Sequence, residues 1–308
     1  MSKIAVFMRL LNHLFVIVFV SLFMLSCDDK PQHADNLSKG VIDISVDETY
    51  RPIIEEQLRV FDSSYPEAKI TAHYKPEAEC FKDYFEKKAR MILVTRALTA
   101  DEKKLCEEKK IFPASVALAR DAVAVIVNNE AKDTILDINA LRGILTGIYR
   151  TKYTVVFDHQ GSSTVSFISD SILKGQALGK NVFAAKGNKE VVDYVMKNKD
   201  AIGFVGLSYV SDKYDPNNTG AFIKSVKVVA VQDSASREFL QPYQAYIALK
   251  SYPLTRTLYY VNGESYPGLG TGFANFLAGQ RGQLIFFHSH LFPVRSEMVI
   301  RAAEINNK

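Results

Sequence analysis

The 308-residue chain has no tryptophan and only three cysteines. So few thiols exclude a disulfide framework, and no two are spaced as a C-x-x-C zinc pair. Charge of one sign is missing too: 38 Lys and Arg stand against 34 Asp and Glu, a formal +4. That balance argues against a nucleic-acid partner held by a basic surface. No apolar run reaches the roughly 18 residues of a spanning helix. The six histidines are scattered, and His288 and His290 have the wrong spacing to share a helix face, so no metal site is expected. Neither a P-loop nor a dinucleotide fingerprint occurs, so no cofactor is expected. Ser162 and Ser163 lack the G-x-S-x-G elbow of a hydrolase, and no enzyme is expected. What is present is ordinary globular composition, 47% apolar and 23% charged. The length suits two domains of about 150 residues each.

Residues 1–26 predict an export signal. Lys3 and Arg9 give a positive start, and Leu14 to Leu25 form an apolar stretch too short to span comfortably. Losing Lys3 and Arg9 brings the net charge from +4 to +2. Ser26-Cys27 directly after this stretch resembles a bacterial lipobox. The resemblance implies that Cys27 is diacylated and becomes the N-terminus; the plainer alternative is an ordinary signal peptide with a chance cysteine. Two or three acyl chains anchor stably where one binds marginally. Residues 27–39 are polar without an apolar period and predict a tether. Cys80 and Cys106 would then sit in an oxidising compartment, where they could form a disulfide. Two small, buried apolar side chains are the equal alternative.

From residue 40 strand and helix patterns alternate. Strands are expected at 40–46, 68–74, 90–95, 121–128, 153–158, within 201–210, at 226–231 and at 243–249. Helices are expected from Pro52, over 78–88, after a Thr99/Glu102 capping box, over 137–147, after Gly161, around 189–198 and over 272–289. This alternation predicts parallel sheets covered on both faces, in two lobes that share a cleft. Ligands of open α/β sheets sit outside the carboxyl ends of strands. The loops after residues 46, 74, 94 and 158 therefore matter most.

Three of these loops carry candidate ligand groups. Gly161-Ser162-Ser163-Thr164 follows a strand and starts a helix. Glycine permits a tight turn, and the hydroxyls and first-turn amides could wrap an oxyanion; the plainer reading is a Ser that caps its own helix. Thr49 could donate from a second helix start, or Asp47 or Thr49 could be a cap and nothing more. Thr95-Arg96 ends the strand "MILV". A guanidinium there could grip a carboxylate or an anionic ligand through two parallel hydrogen bonds, or stand at the surface. His159 could be a base or a solvated loop residue.

With these loops in order, the chain from about 40 to 300 resembles the phosphate-binding periplasmic proteins of PstS type, the substrate-binding components of phosphate ABC importers. The resemblance rests on "TRALTADEKK", "DAVAVIVNNEAKDTILDINALRGILTGIY", "VVFDHQGSSTVSF", "EVVDYVMKNKDAIGFVGLSYV", "YPLTRTLYYVNGE" and "GFANFLAGQRGQLIF". It implies a two-lobed α/β fold of the type II periplasmic-binding-protein kind. Lobe 1 would take residues 40–125 and 240–308, and lobe 2 residues 126–239. It further implies a non-enzymatic lipoprotein, periplasmic or at the cell surface, that captures phosphate or a related oxyanion for an ABC permease. Thr49, Thr95, Arg96, Gly161, Ser162, Ser163 and Thr164 would hold the ion. The family's Gly-Ser-Gly-Thr turn matches residues 161–164 with Ser163 replacing a glycine. Asp158 stands where the family often has an arginine, and Arg96 where some members have an acid. Exchanged signs would give an Asp158–Arg96 pair that aims the guanidinium at the cleft. "KPEAEC" replaces a Gly/Ser-rich loop, and Glu77 and Glu79 there would repel an anion if they faced it. A surface scaffold or adhesion lipoprotein with a degenerate cleft is the rival reading.

Overall fold

Alternating apolar residues turn Ile42, Ile44 and Val46 of β1 (Gly40–Asp47) into one core. The chain then enters α1 (Arg51–Ser64), where Pro52 occupies a first-turn position at which its missing N–H costs nothing. Ile53, Ile54 and Phe61 line its buried face. The computed structural model describes residues 34–212 and 221–295. In chain order there follow β2 (Ala68–Lys75), α2 (Glu77–Phe85), β3 (Met91–Val94) and α3 (Ala100–Glu108). The capping box read from Thr99 and Glu102 is formed. Next come β4 (Ala114–Val127), β5 (Ile135–Leu136), α4 (Ile138–Thr146) and β6 (Thr154–Phe157). After them stand α5 (Ser163–Ile168), β7 (Val182–Ala184), α6 (Asn188–Lys197) and β8 (Ala201–Gly206). The last elements are β9 (Lys227–Val228), β10 (Ala230–Gln232), β11 (Phe239–Leu240), α7 (Gln244–Leu249), β12 (Thr255–Asn262), α8 (Leu269–Ala278), α9 (Gln280–His288) and β13 (Phe292–Pro293).

The strand path is β2-β1-β3-β12-β4-β8-β6-β7. It curls through two lobes because β4 is fourteen residues long and serves both. Residues up to Ala122 pair antiparallel with β12, and residues from Val123 pair antiparallel with β8. One core gathers Ile44, Phe61, Phe273 and Phe286. A second gathers Val125, Ile144, Phe157 and Phe204. The chain passes from the first to the second along β4, and returns between Leu254 and Leu258. The two lobes are thus tied by crossing strands.

Several sequence expectations need correcting. The sheet is mixed rather than parallel, because the crossing strands β4 and β12 run against their neighbours. Residues 243–249, expected as a strand, form α7. Their β-prone Tyr and Ile concealed a helical spacing, in which the Tyr246 ring lies tilted against Tyr243 with centroids 6.5 Å apart. Cys80 and Cys106 are free thiols, so the disulfide is not made. Both lie in a small apolar cluster with Phe81, Tyr84 and Leu98, and burial pushes both thiols up in pKa. The tether is not loose over its whole expected length. Asp35 accepts hydrogen bonds from Arg90 (2.7 Å), the Tyr266 hydroxyl (2.6 Å) and the Leu269 amide (2.8 Å). The Arg90 guanidinium holds its carboxyl well below the ordinary range. The expected leader and Cys27 lie outside the described residues.

Candidate functional site

Four loops at the carboxyl ends of strands converge between the lobes. After β1, Asp47 caps the short 3-10 turn Glu48–Tyr50: its Oδ1 accepts from the Thr49 amide (2.9 Å) and the Thr49 hydroxyl (2.7 Å). After β6, Asp158 accepts from the Ser162 hydroxyl (2.5 Å) and the Asn188 side-chain amide (3.0 Å). Ser162 in turn accepts from the Val165 amide at 3.2 Å. Ser162 is therefore the cap of its own helix, the plainer of its two readings. Ser163 differs. Its hydroxyl lies 3.3 Å from the Thr49 hydroxyl of the other lobe and accepts from Arg256 at 3.0 Å.

Arg256 was not among the expected ligands, and it is the guanidinium of this site. It stands on β12 directly opposite Asp121 on β4, where both strands pass between lobes. Its Nε donates to Asp121 at 2.9 Å, and both side chains are 2% exposed. Burial opposes the cation's charge, but Tyr50, Asp121 and Asp47 around it outweigh that and raise its pKa further. Its ζ-carbon lies 5.3 Å from the centre of the Tyr50 ring. The one local signal was Asp121 opening an apolar run; nothing in the Thr-Arg-Thr of β12 marks Arg256 as its partner.

The unmet polar atoms at this place decide what it can do. Arg256 Nη2, Thr164 Oγ1, the Tyr50 hydroxyl and Asp47 Oδ2 are all buried with no hydrogen-bond partner among the described residues. Each unpaired buried polar group costs about 1–3 kcal/mol. Four such atoms around one ion pair mark a place built for a polar ligand. The set offers two hydroxyls, one guanidinium arm and one carboxylate oxygen. Gly206 ends β8 against this set, and a Cβ there would meet Thr49 Cγ2 at 2.3 Å. Only glycine lets the lobes approach so closely.

The remaining expected residues divide. Thr95 is drawn in, but toward a carboxylate. Glu77 Oε1 accepts from its amide (2.5 Å) and its hydroxyl (2.7 Å). Burial first, then the nearby Asp47 charge, push the Glu77 carboxyl up in pKa. Burial likewise raises Asp158 and Glu48. Glu79 is exposed and takes no part. Arg96 does not pair with Asp158. It makes a two-pronged contact with Glu102 (2.7 and 2.8 Å) and lies over the Phe81 ring at 3.8 Å. The capping-box glutamate is six residues away, so a local partner wins over the cleft. Gly161 is exposed and adopts φ +83°, so it shapes the turn and presents no side of the site. His159 Nε2 approaches Glu48 Oε2 at 3.5 Å across the lobes. Among the described residues no group of acids, histidines and cysteines could hold a metal.

Two α/β lobes on crossing strands, closed over buried hydroxyls and one guanidinium, are the two-lobed arrangement of the PBP-like fold. The chain belongs to the PBP superfamily, whose domain model matches residues 31–281. No curated protein sequence matches it. Among solved structures, a Clostridium perfringens protein assigned as a phosphate ABC transporter substrate-binding protein, with phosphate bound, is 22% identical with a TM-score of 0.70; the match covers 83% of this chain and all of that one. An ABC-type phosphate transport receptor from Vibrio cholerae is 18% identical with a TM-score of 0.63, over 82% and 99% of the two chains. PstS from Borrelia burgdorferi is 20% identical with a TM-score of 0.52, over 83% and 99%. At these identities the likeness shows the fold.

Proposed function

We propose that this protein is an exported, lipid-anchored solute-binding protein that captures phosphate between its lobes and passes it to an ABC permease. The observation that carries the reading is the buried, unpartnered Arg256 Nη2, on a guanidinium that donates to Ser163, whose chain neighbour Thr164 also keeps a buried, unpartnered hydroxyl. Hydrogen bonds to a charged group contribute about 1.5–3 kcal/mol each. Arg256, Ser163, Thr164 and Tyr50 could supply four. Micromolar binding needs about 8 kcal/mol net, so four such bonds reach that range before ordering costs.

The unpartnered Asp47 Oδ2 favours phosphate over sulfate. Hydrogen phosphate brings an O–H that such an acceptor can receive; sulfate brings none and sets a bare anion against a carboxylate. Lobe closure is a hinge motion that the bound ion biases. Export and the lipid rest on the leader and Cys27 alone. No helix among the described residues is long and apolar enough to cross a membrane. Thermal denaturation of the full chain with phosphate and with sulfate tests the reading. Phosphate at 100 times its Kd should add about 2.7 kcal/mol, while sulfate at equal concentration adds nothing measurable. A flat response to both would favour the scaffold with a degenerate cleft, for which Glu77 on Thr95 already speaks.

A further inference from the structure

The buried site has a mouth larger than the ion needs. A cavity of ≈ 470 Å³ lies between the lobes, lined by Glu48, Arg51, Lys75, His159, Lys186 and Lys189 among others. That volume falls within the about 300–1,000 Å³ of small-molecule pockets. It lies against the site: Asn188 donates its backbone amide to Glu48 of the mouth (3.4 Å) and its side-chain amide to Asp158 of the site (3.0 Å), and the same loops build both. Glu48 follows Asp47, His159 follows Asp158, Pro76 precedes Glu77, and Tyr209 follows Ser208, whose hydroxyl reaches the Thr49 carbonyl at 3.4 Å. A ligand seated on Arg256 would turn its outer oxygen toward this space.

The walls of the mouth are cationic. Lys75 is taken by Asp83 at 2.5 Å. Arg51, Lys186 and Lys189 make no ion pair among the described residues, and Arg51 is held over the Tyr74 ring at 4.5 Å. Of the lining acids, Glu48 already faces His159 and accepts from the Asn188 amide at 3.4 Å. Glu48 and Glu190 are the lining acids set against these three cations and Lys75. Such a funnel attracts negative charge, and the low-dielectric walls focus it.

Resting on the phosphate reading above, we propose that the cleft takes a phosphate monoester bearing a second anionic group. Its phosphoryl end, singly protonated so that its O–H meets Asp47, sits on Arg256, Ser163 and Thr164, and its carbon portion in the mouth, with the second anion on Lys186, Lys189 and Arg51. Free inorganic phosphate would then be the smaller, weaker ligand.

The test is titration calorimetry on the full chain at pH 5, below the second phosphate pKa of about 6 so that every probe keeps a phosphoryl O–H, with inorganic phosphate, glycerol 3-phosphate and 3-phosphoglycerate as probes. The expected order is 3-phosphoglycerate at least tenfold tighter than inorganic phosphate, with glycerol 3-phosphate between them. In the double variant Lys186→Ala/Lys189→Ala the ratio of the 3-phosphoglycerate and phosphate affinities should fall toward one. Both lysines are exposed, so the fold is not at stake. Inorganic phosphate binding with both esters weaker would overturn this inference and leave the phosphate reading standing. A ratio that survives the double substitution would overturn the role of the mouth. Silence from all three probes would overturn the phosphate reading itself.

Discussion

Arg256→Met is expected to abolish the phosphate response and to lower the melting temperature by roughly 6–20 °C. The second figure follows from what the substitution leaves behind. Asp121 is 2% exposed and would lose its partner at 2.9 Å. Breaking a buried pair from one side costs about 3–5 kcal/mol, and each kcal/mol moves a domain of this size by about 2–4 °C. A fold defect could hide the loss of binding. The double variant Arg256→Met/Asp121→Leu separates the two, since replacing both partners of a buried pair by apolar residues is often close to neutral. It should melt near the parent and still ignore phosphate in calorimetry. If it binds phosphate as the parent does, Arg256 is not the ligand. Arg96→Ala is the contrasting control. Arg96 is held by Glu102 outside the cleft, so its removal should change phosphate affinity less than twofold.

Glu77→Gln should act in the opposite direction and tighten phosphate binding by tenfold or more at pH 8, about 1.4 kcal/mol. The glutamine oxygen can still accept from Thr95, so the loop keeps its shape. What disappears is a buried negative charge near Asp47. Two unit charges 4 Å apart interact by about 4 kcal/mol at an effective dielectric of 20, so a tenfold gain is a modest share. The pH dependence has a definite sign. The Glu77 carboxyl titrates above its ordinary value, through burial and then Asp47, against the Thr95 bonds and Arg96. As pH falls it takes up a proton, and the parent protein approaches the glutamine variant. The ratio of the two affinities should therefore shrink toward one on acidification, and because it is a ratio the titration of phosphate itself cancels. The apo proteins should follow the same rule. A carboxyl raised in the folded state destabilises it at high pH, so the variant is the more stable at pH 8 and the gap closes as pH falls. A ratio that grows on acidification would contradict the placement of Glu77.

Much of the fold was legible because it is written in short-range pattern. The alternation in β1, the Pro52 start of α1 and the Thr99 capping box are local features that the lobes merely assemble. The failures came where the fold works over distance. β12 carries Thr, Arg and Tyr in a sequence that does not read as core until β3 and β4 flank it. Arg256 was missed for that reason, while its opposite number Asp121 was read only as the start of a strand. Arg96 ends a central strand, a position that points to the cleft. Its side chain instead follows Glu102, a partner that the capping box had already put in reach. Ser163, Thr164 and Thr49 were visible because glycine and hydroxyls beside a helix start form a recognisable local device. Which of those hydroxyls caps and which stays open depends on the other lobe, and no spacing rule contains it.

The most direct measurement is a crystal structure of the full chain grown with phosphate. A tetrahedral ion with oxygens within about 3.2 Å of Arg256 Nη2 and Thr164 Oγ1, and one protonated oxygen facing Asp47, is the expected result. An ion on Arg96, or a cleft that stays empty at saturating phosphate while Glu77 keeps its hold on Thr95, would contradict the account.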